Sequence, residues 1–324
     1  MTMKTALPNM SRRGFCLCCV ASATFAATGG WLAPREAFAE ARSLVKIIRD
    51  AAATATIDVV QLRGRVSVLQ GSGGNIAVLQ GEEGTLLVDG GITASKPRLM
   101  EALGKLKAAP VKHLINTHWH FDHTDGNEWL HQQGATIIAH ENTRKHLSSA
   151  QRVDDDWNFT FPPSPTGALP TEIVVADRTF RHNGTTLALK RYQPAHTDCD
   201  LSVHFVESDI LHTGDTWWNG IYPFIDYSTG GSIDGMIRAA DKNIAATTDS
   251  SIIVPGHGAV GNRAQLIASR DMLVAIRTNI ARLKAAGHSV EAAVAAKPTA
   301  EFDAKWGQFV IGPDLFTRLV FEGL

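Results

Sequence analysis

Six consecutive residues, His118-Trp119-His120-Phe121-Asp122-His123, place four metal-binding side chains on one short loop. Residues 111–117 before them read as a buried strand. Residues 128–133 after them, closed by Gly134, read as a short amphipathic helix. The motif therefore belongs to the turn from a strand into a helix. There His118 and His120, two positions apart, face one way, while Asp122 and His123 turn towards a second position. Imidazoles with a carboxylate suit zinc, and three protein ligands that leave a place for water form the catalytic kind of site.

Further ligand types recur at strand ends downstream. His196 follows the run 187–192, Asp215 follows 210–214 and His257 follows 251–256. Singly, a histidine beside a strand is an ordinary structural residue. Three β-rich runs, each stopping at Gly or Pro before a lone His or Asp, are hard to obtain from packing needs alone.

With these residues the chain resembles the metallo-β-lactamase-fold hydrolases, whose signature is His-x-His-x-Asp-His followed by a distant His, Asp and His. The resemblance runs from about residue 59 to about residue 271. It implies an α+β fold, the four-layer αββα sandwich, with metals at the edge where two β-rich halves meet. Position by position, it makes His118, His120 and His196 the first zinc site and Asp122, His123 and His257 the second, with Asp215 as bridging carboxylate. Asp89, ending the run 85–89, matches a position that braces the metal loop by hydrogen bonds. The diiron flavoprotein branch carries Glu where this chain has His120, so redox chemistry is not expected.

The cofactor implied is two Zn²⁺, whose bridging hydroxide attacks a carbonyl carbon, with Asp122 orienting the nucleophile. The expected partner is a small molecule with a hydrolysable carbonyl. A β-lactam amide leads, in keeping with an exported setting; lactone, ester or glyoxalase II-like thioester hydrolysis comes second. A non-catalytic metal- or partner-binding protein is the third reading, disfavoured by the complete ligand set.

The chain has 324 residues with 31 basic and 32 acidic side chains. Its first 39 residues read as a signal peptide. Ser11-Arg-Arg-Gly-Phe15 is a twin-arginine pattern, an apolar stretch covers 16–27, and Ala37-Phe-Ala39 is a small-x-small cleavage site. Export to the periplasm, or otherwise out of the cytoplasm, is the expectation. Residues 40–56 read as a linker or helix and 57–324 as the hydrolase domain. Removing the signal takes Lys4, Arg12, Arg13 and Arg35 against Glu36 and leaves 27 basic and 31 acidic residues. That mildly acidic balance offers no footprint for nucleic acid. No later stretch is apolar enough to span a membrane. Oligomeric state is not legible. Cys199 alone of four cysteines remains after cleavage, so no intrachain disulfide is expected; it reads as packing rather than as a thiolate ligand.

Short strands with tight turns fill 58–89, broken at Gly64, at Gly71-Ser-Gly-Gly74 and at Gly84. Helical periods cover 97–107, 233–246 and 263–286, the last two enclosing a strand at 251–254. Residues 151–170, with prolines at 162, 163 and 165, read as a long excursion, and the region after Glu291 carries no clear signal. Gly256-His-Gly-Ala-Val-Gly261 matches a dinucleotide fingerprint but lacks the second strand and acidic residue such a unit needs. Asp154-Asp-Asp156 reads as solvated loop charge. His113, His140, His204 and His212 read as structural. The substrate rim is expected from Trp119, Trp217, Trp218 and Tyr222, with Phe224 and Tyr227 near them, as an aromatic wall. Gly71-Ser-Gly-Gly74 implies a more open site than a long apolar flap would give.

Overall fold

The computed structural model describes residues 44–108, 110–153, 157 and 159–324. The predicted signal peptide and the Asp154-Asp-Asp156 triplet lie outside these residues. Within the expected linker, α1 (Leu44–Thr54) leads into the first sheet.

That sheet has seven strands: β1 (Asp58–Gln61), β2 (Val66–Gln70), β3 (Ile76–Leu79), β4 (Thr85–Val88), β5 (Val111–Ile115), β6 (Thr136–His140) and β9 (Glu172–Val174), adjacent in that order. The first four form an antiparallel meander, and β4 to β9 run parallel. Burial on both faces explains the unbroken apolar runs in the sequence. Strands covered on both faces, such as β3 and β4, have no polar side to alternate with. The second sheet has β10 (Arg178–His182), β11 (Thr185–Arg191), β12 (Leu201–Phe205), β13 (Ile210–His212) and β15 (Ile252–Val254), with only the β13–β15 pair parallel.

Val66, Val68, Leu79, Leu86, Val88 and Ile115 of the first sheet meet Leu187, Leu189, Val203, Phe205 and Val254 of the second in one dry core. On the outer face of the first sheet lie α2 (Lys96–Lys105) and α4 (Asn127–Gln132), through Leu99, Ala102, Trp129 and Leu130. The second sheet is covered by α6 (Ile233–Ala245) and α7 (Arg263–Ala285), through Ala240 and Leu266. The four-layer αββα sandwich is therefore present as expected.

After α5 (Glu141–Leu147), β7 (Gln151–Val153) and β8 (Phe159–Phe161) pair antiparallel. The uninformative C-terminal region holds three helices: α8 (Val290–Ala295), α9 (Ala300–Trp306) and α10 (Pro313–Glu322). Each is short, so its apolar period is weak in sequence, and it is held by burial of Trp306, Phe316, Leu319 and Val320 in a large cluster with α6 and α7.

The topology brings five chain segments to one edge. Asp89 follows β4, the His118–His123 loop follows β5, His196 lies between β11 and β12, Asp215 follows β13 and His257 follows β15. Parallel neighbours end at the same edge of a sheet, so residues far apart in sequence converge there.

Candidate metal centre

Two sets of donor atoms converge, one from His118, His120, His196 and Asp215, the other from Asp122, His123 and His257. Within each set the donor atoms lie within 4.8 Å of one another. α3 (Phe121–Thr124) starts inside the motif, so the turn from β5 into this helix splits the loop between the two sets.

Hydrogen bonds fix which nitrogen each imidazole presents. Thr117 Oγ1 donates to Asp89 Oδ2 (2.8 Å) and so accepts from His118 Nδ1 (3.0 Å). His123 Nδ1 donates to the same carboxylate oxygen (2.8 Å), while Asp89 Oδ1 accepts from the Thr117 amide (2.8 Å). His196 Nδ1 donates to the Phe224 carbonyl (2.9 Å). His120 is turned the other way: its Nε2 donates to Asp226 Oδ2 (2.9 Å), leaving Nδ1 inward. Partners of this kind set the tautomer and raise the basicity of the remaining lone pair.

The inward atoms face each other at the spacing of ligands around one ion. His120 Nδ1 lies 2.9 Å from His196 Nε2, and His123 Nε2 lies 3.4 Å from His257 Nε2. His118 Nε2 and Asp215 Oδ1 are buried with no hydrogen-bond partner among the described residues. Asp215 reaches both sets, with Oδ1 3.2 Å from His123 Nε2 and Oδ2 3.4 Å from His196 Nε2 and 3.3 Å from His257 Nε2. Four ligands at zinc distance on a tetrahedron stand about 3.3 Å apart. Convergent lone pairs at such spacings repel unless a cation lies between them, so the residues fit metal ions.

The charge balance agrees. Burial pulls the His118 imidazole well below its ordinary value and His196 down to about 4, so both are neutral with a free lone pair. Burial also acts on His257, but Asp215 and Asp122 outweigh it and push it up to about 9; His123 is raised by the same carboxylates and Asp89. In turn, His123 and His257 overcome burial to bring Asp122 down to about 2. Without a cation, this carboxylate-rich set holds protons that a metal ion displaces.

Glycines allow the close approach. A Cβ on Gly256 would stand 1.8 Å from Asp215 Oδ1, and one on Gly74 would stand 2.1 Å from His123 Cε1. The glycines of Gly256-His-Gly-Ala-Val-Gly261 thus serve the turn presenting His257, and the dinucleotide reading is unnecessary. Cys199 is buried and its Sγ lies 3.2 Å from Thr197 Oγ1, outside both donor sets, consistent with packing. His212 receives the Gly214 amide and donates to the Asn75 carbonyl, a structural role that shapes the turn before Asp215.

The expected rim needs correction. Trp217 is 2% exposed and packs with Ala240, Ile253 and Leu266 beneath the outer helices. Tyr222 is fully buried, stacks on Phe316 at 4.5 Å and donates to Asp303 Oδ1 (2.9 Å). Trp217 is core because α6 and α7 cover it, and Tyr222 because the C-terminal helices, illegible in sequence, do. Trp119 touches the His120 ring but is buried, its Nε1 donating to Thr229 Oγ1 (3.1 Å). Trp218 does lie at the metal centre, 4.3 Å from His257 between ring centroids. Sequence reading missed Asp226, which Ser228, Thr229 and His120 all bond. The signal was a carboxylate inside an aromatic run with two hydroxyl residues just behind it.

Comparison with known proteins agrees with this geometry. The family profile described as the metallo-beta-lactamase superfamily matches residues 69–257. The chain is 23% identical over 173 residues to a hydroxyacylglutathione hydrolase of Polaromonas sp., a match covering 52% of this chain and 57% of that one. It is 28% identical over 187 residues to a probable metallo-hydrolase of Methanocaldococcus jannaschii, covering 55% and 84%. Among solved structures, a metallo-beta-lactamase from Pontibacter korlensis superimposes with a TM-score of 0.55 at 20% identity, over 68% of this chain and 99% of that one. The sec-alkylsulfatase Pisa1 from Pseudomonas sp. superimposes with a TM-score of 0.59 at 15% identity, over 85% and 51%.

The chain belongs to the metallo-β-lactamase superfamily. The chain spans 57% of the length of the hydroxyacylglutathione hydrolase that it matches.

Proposed function

We propose that the chain is an exported dinuclear zinc hydrolase that cleaves a carbonyl–heteroatom bond. The observation that carries this reading is the pair of donor sets joined by one carboxylate, Asp215. His118, His120 and His196 would hold one zinc, Asp122, His123 and His257 the other. Two zinc ions held there supply Lewis-acid polarisation and a water that ionises near neutral pH. The protein's own part is orientation. Asp89 fixes His118 through Thr117 and fixes His123 directly, while Asp226 fixes His120. Asp122, on the open side of the centre, orients the attacking water. Water oxygen adds to the carbonyl carbon, the C–N, C–O or C–S bond breaks, and the proton leaves with the nitrogen, oxygen or sulfur.

A β-lactam amide is the first substrate to test, supported by the likeness to a solved β-lactamase over nearly all of its length. A thioester or ester is the second, supported by the hydroxyacylglutathione hydrolase match. Nitrocefin, homoserine lactones, aryl esters and S-lactoylglutathione, each assayed with zinc and after chelation, separate them. Cleavage of at least one, lost on chelation and restored by zinc, is expected. Failure of all four classes with a two-zinc protein sinks the reading.

Export rests on Ser11-Arg-Arg-Gly-Phe15. No helix among the described residues is long and apolar enough to cross a membrane. Replacing Arg12 and Arg13 by Lys should leave the precursor in the cytoplasm, and mature protein outside the inner membrane in that variant would refute twin-arginine routing.

A further inference from the structure

Only part of the centre is open to a ligand. The side chains of His118, His123, His196 and Asp215 are 0–2% exposed, whereas His120 and His257 are 12% and Asp122 is 13% exposed. A substrate therefore approaches past His120, Asp122 and His257. Aromatic rings stand against the two imidazoles of that mouth. Phe224 lies 6.1 Å from the His120 ring, and Trp157, from the turn between β7 and β8, lies 5.6 Å from Phe224. On the other side Trp218 packs on His257, and Phe309, from the segment between α9 and α10, lies 6.3 Å from Trp218. Trp157 and Phe309 are the partly exposed ends of these two walls. The third side, at Asp122, is bare backbone: a Cβ on Gly73 would stand 2.7 Å from Asp122 Cβ.

Each wall comes from a part of the chain outside the ligand-bearing strand ends, one from the β7–β8 pair and one from the C-terminal helices. Partly exposed aromatic rings at a mouth remove apolar surface from water only when a ligand covers them.

We infer that the ligand of this site carries apolar groups on both sides of its carbonyl, held between Trp157 with Phe224 and Trp218 with Phe309. The inference rests on the hydrolase reading above and narrows its carbonyl class. Trp157 and Phe309 are specificity-determining residues that bind the two apolar arms and take no part in the bond-breaking step.

The test uses the mature chain in two states. In chelator-treated protein, isothermal titration compares ethyl hexanoate, hexyl acetate, ethyl acetate and the anionic monoethyl hexanedioate. Either six-carbon ester should bind at least about tenfold tighter than ethyl acetate, since each buried methylene contributes a factor of about four. The anionic analogue should bind more weakly than ethyl hexanoate. Trp157→Ala should abolish the preference for one six-carbon ester and Phe309→Ala for the other, with metal content and circular dichroism unchanged in both variants. In zinc-loaded protein, the same substitutions should raise KM for the matching ester more than they lower kcat. Equal binding of all four probes, tighter binding of the anionic one, or preferences unmoved by both variants would overturn the inference. If the binding preferences hold while zinc-loaded protein cleaves none of these esters, the apolar ligand class stands, and the hydrolase reading fails only if the four-class panel fails as well.

Discussion

The two donor sets share a carboxylate and a loop, yet they are built on different principles. His118 and His196, in the first, are neutral imidazoles sunk in the protein, held by a hydroxyl and a carbonyl. In the second, two imidazoles sit among carboxylates, and His257 and Asp122 reach the surface. His118 and His196 are selected by burial and geometry and the second set by charge, while His120, as open as His257, is held by Asp226. Burial of neutral donors leaves little for protons to contest, whereas a carboxylate-rich set binds protons and cations in competition. The second position should therefore be the one that empties first and the one whose occupancy falls as pH drops.

The largest test of that contrast is Asp215→Ala. Loss of the shared charge should cut turnover by about 10²–10⁴, above the 10–100-fold typical of losing an orienting partner, with the second metal lost before the first. Elemental analysis alongside kcat reads both, and unchanged values would remove Asp215 from the ligand set. Asp215→Cys should keep at least one zinc but alter the preference among substrates. His118→Ala and His257→Ala should each cost about one metal per chain while the fold survives; a single metal in the intact protein with excess zinc would already break the two-site picture.

Smaller, and sharper, is the pair Asp226→Asn and Asp89→Asn. Asp226 touches only the first set, through His120, so its loss should weaken the tighter metal by about 10–100-fold and spare the other. Asp89 supports His123 directly and His118 through Thr117, so its loss should weaken both. Chelator competition resolving two affinities distinguishes these outcomes, and identical profiles for the two variants would mean that the sets are not separately held.

The smallest effect concerns the boundary between site and core. Tyr222→Phe removes the hydroxyl bonded to Asp303 and should lower stability by about 1 kcal/mol in denaturant unfolding, with KM unmoved. A changed KM would return Tyr222 to the rim.

The sequence by itself determined which donor residues converge. The His118–His123 spacing, with His196, Asp215 and His257 after strand-like runs, needed no coordinates, because ligand identity is a property of residue types and a strand end is legible in local pattern. The sandwich came with the resemblance that those residues carry, and the β runs at 58–89 and the helical periods at 233–246 and 263–286 fit it. Only the tertiary structure decided which aromatic residues face a ligand. Trp217 and Trp218 are chain neighbours of the same type, yet one is held under the outer helices and the other stands on His257. Alternation along a strand sends adjacent side chains to opposite faces, and which face is the core depends on elements far away in sequence. Phe309 and Trp157 could not be found from the motif for the same reason: they reach the centre across long-range contacts between the C-terminal helices, the β7–β8 pair and the sandwich, which no local pattern records.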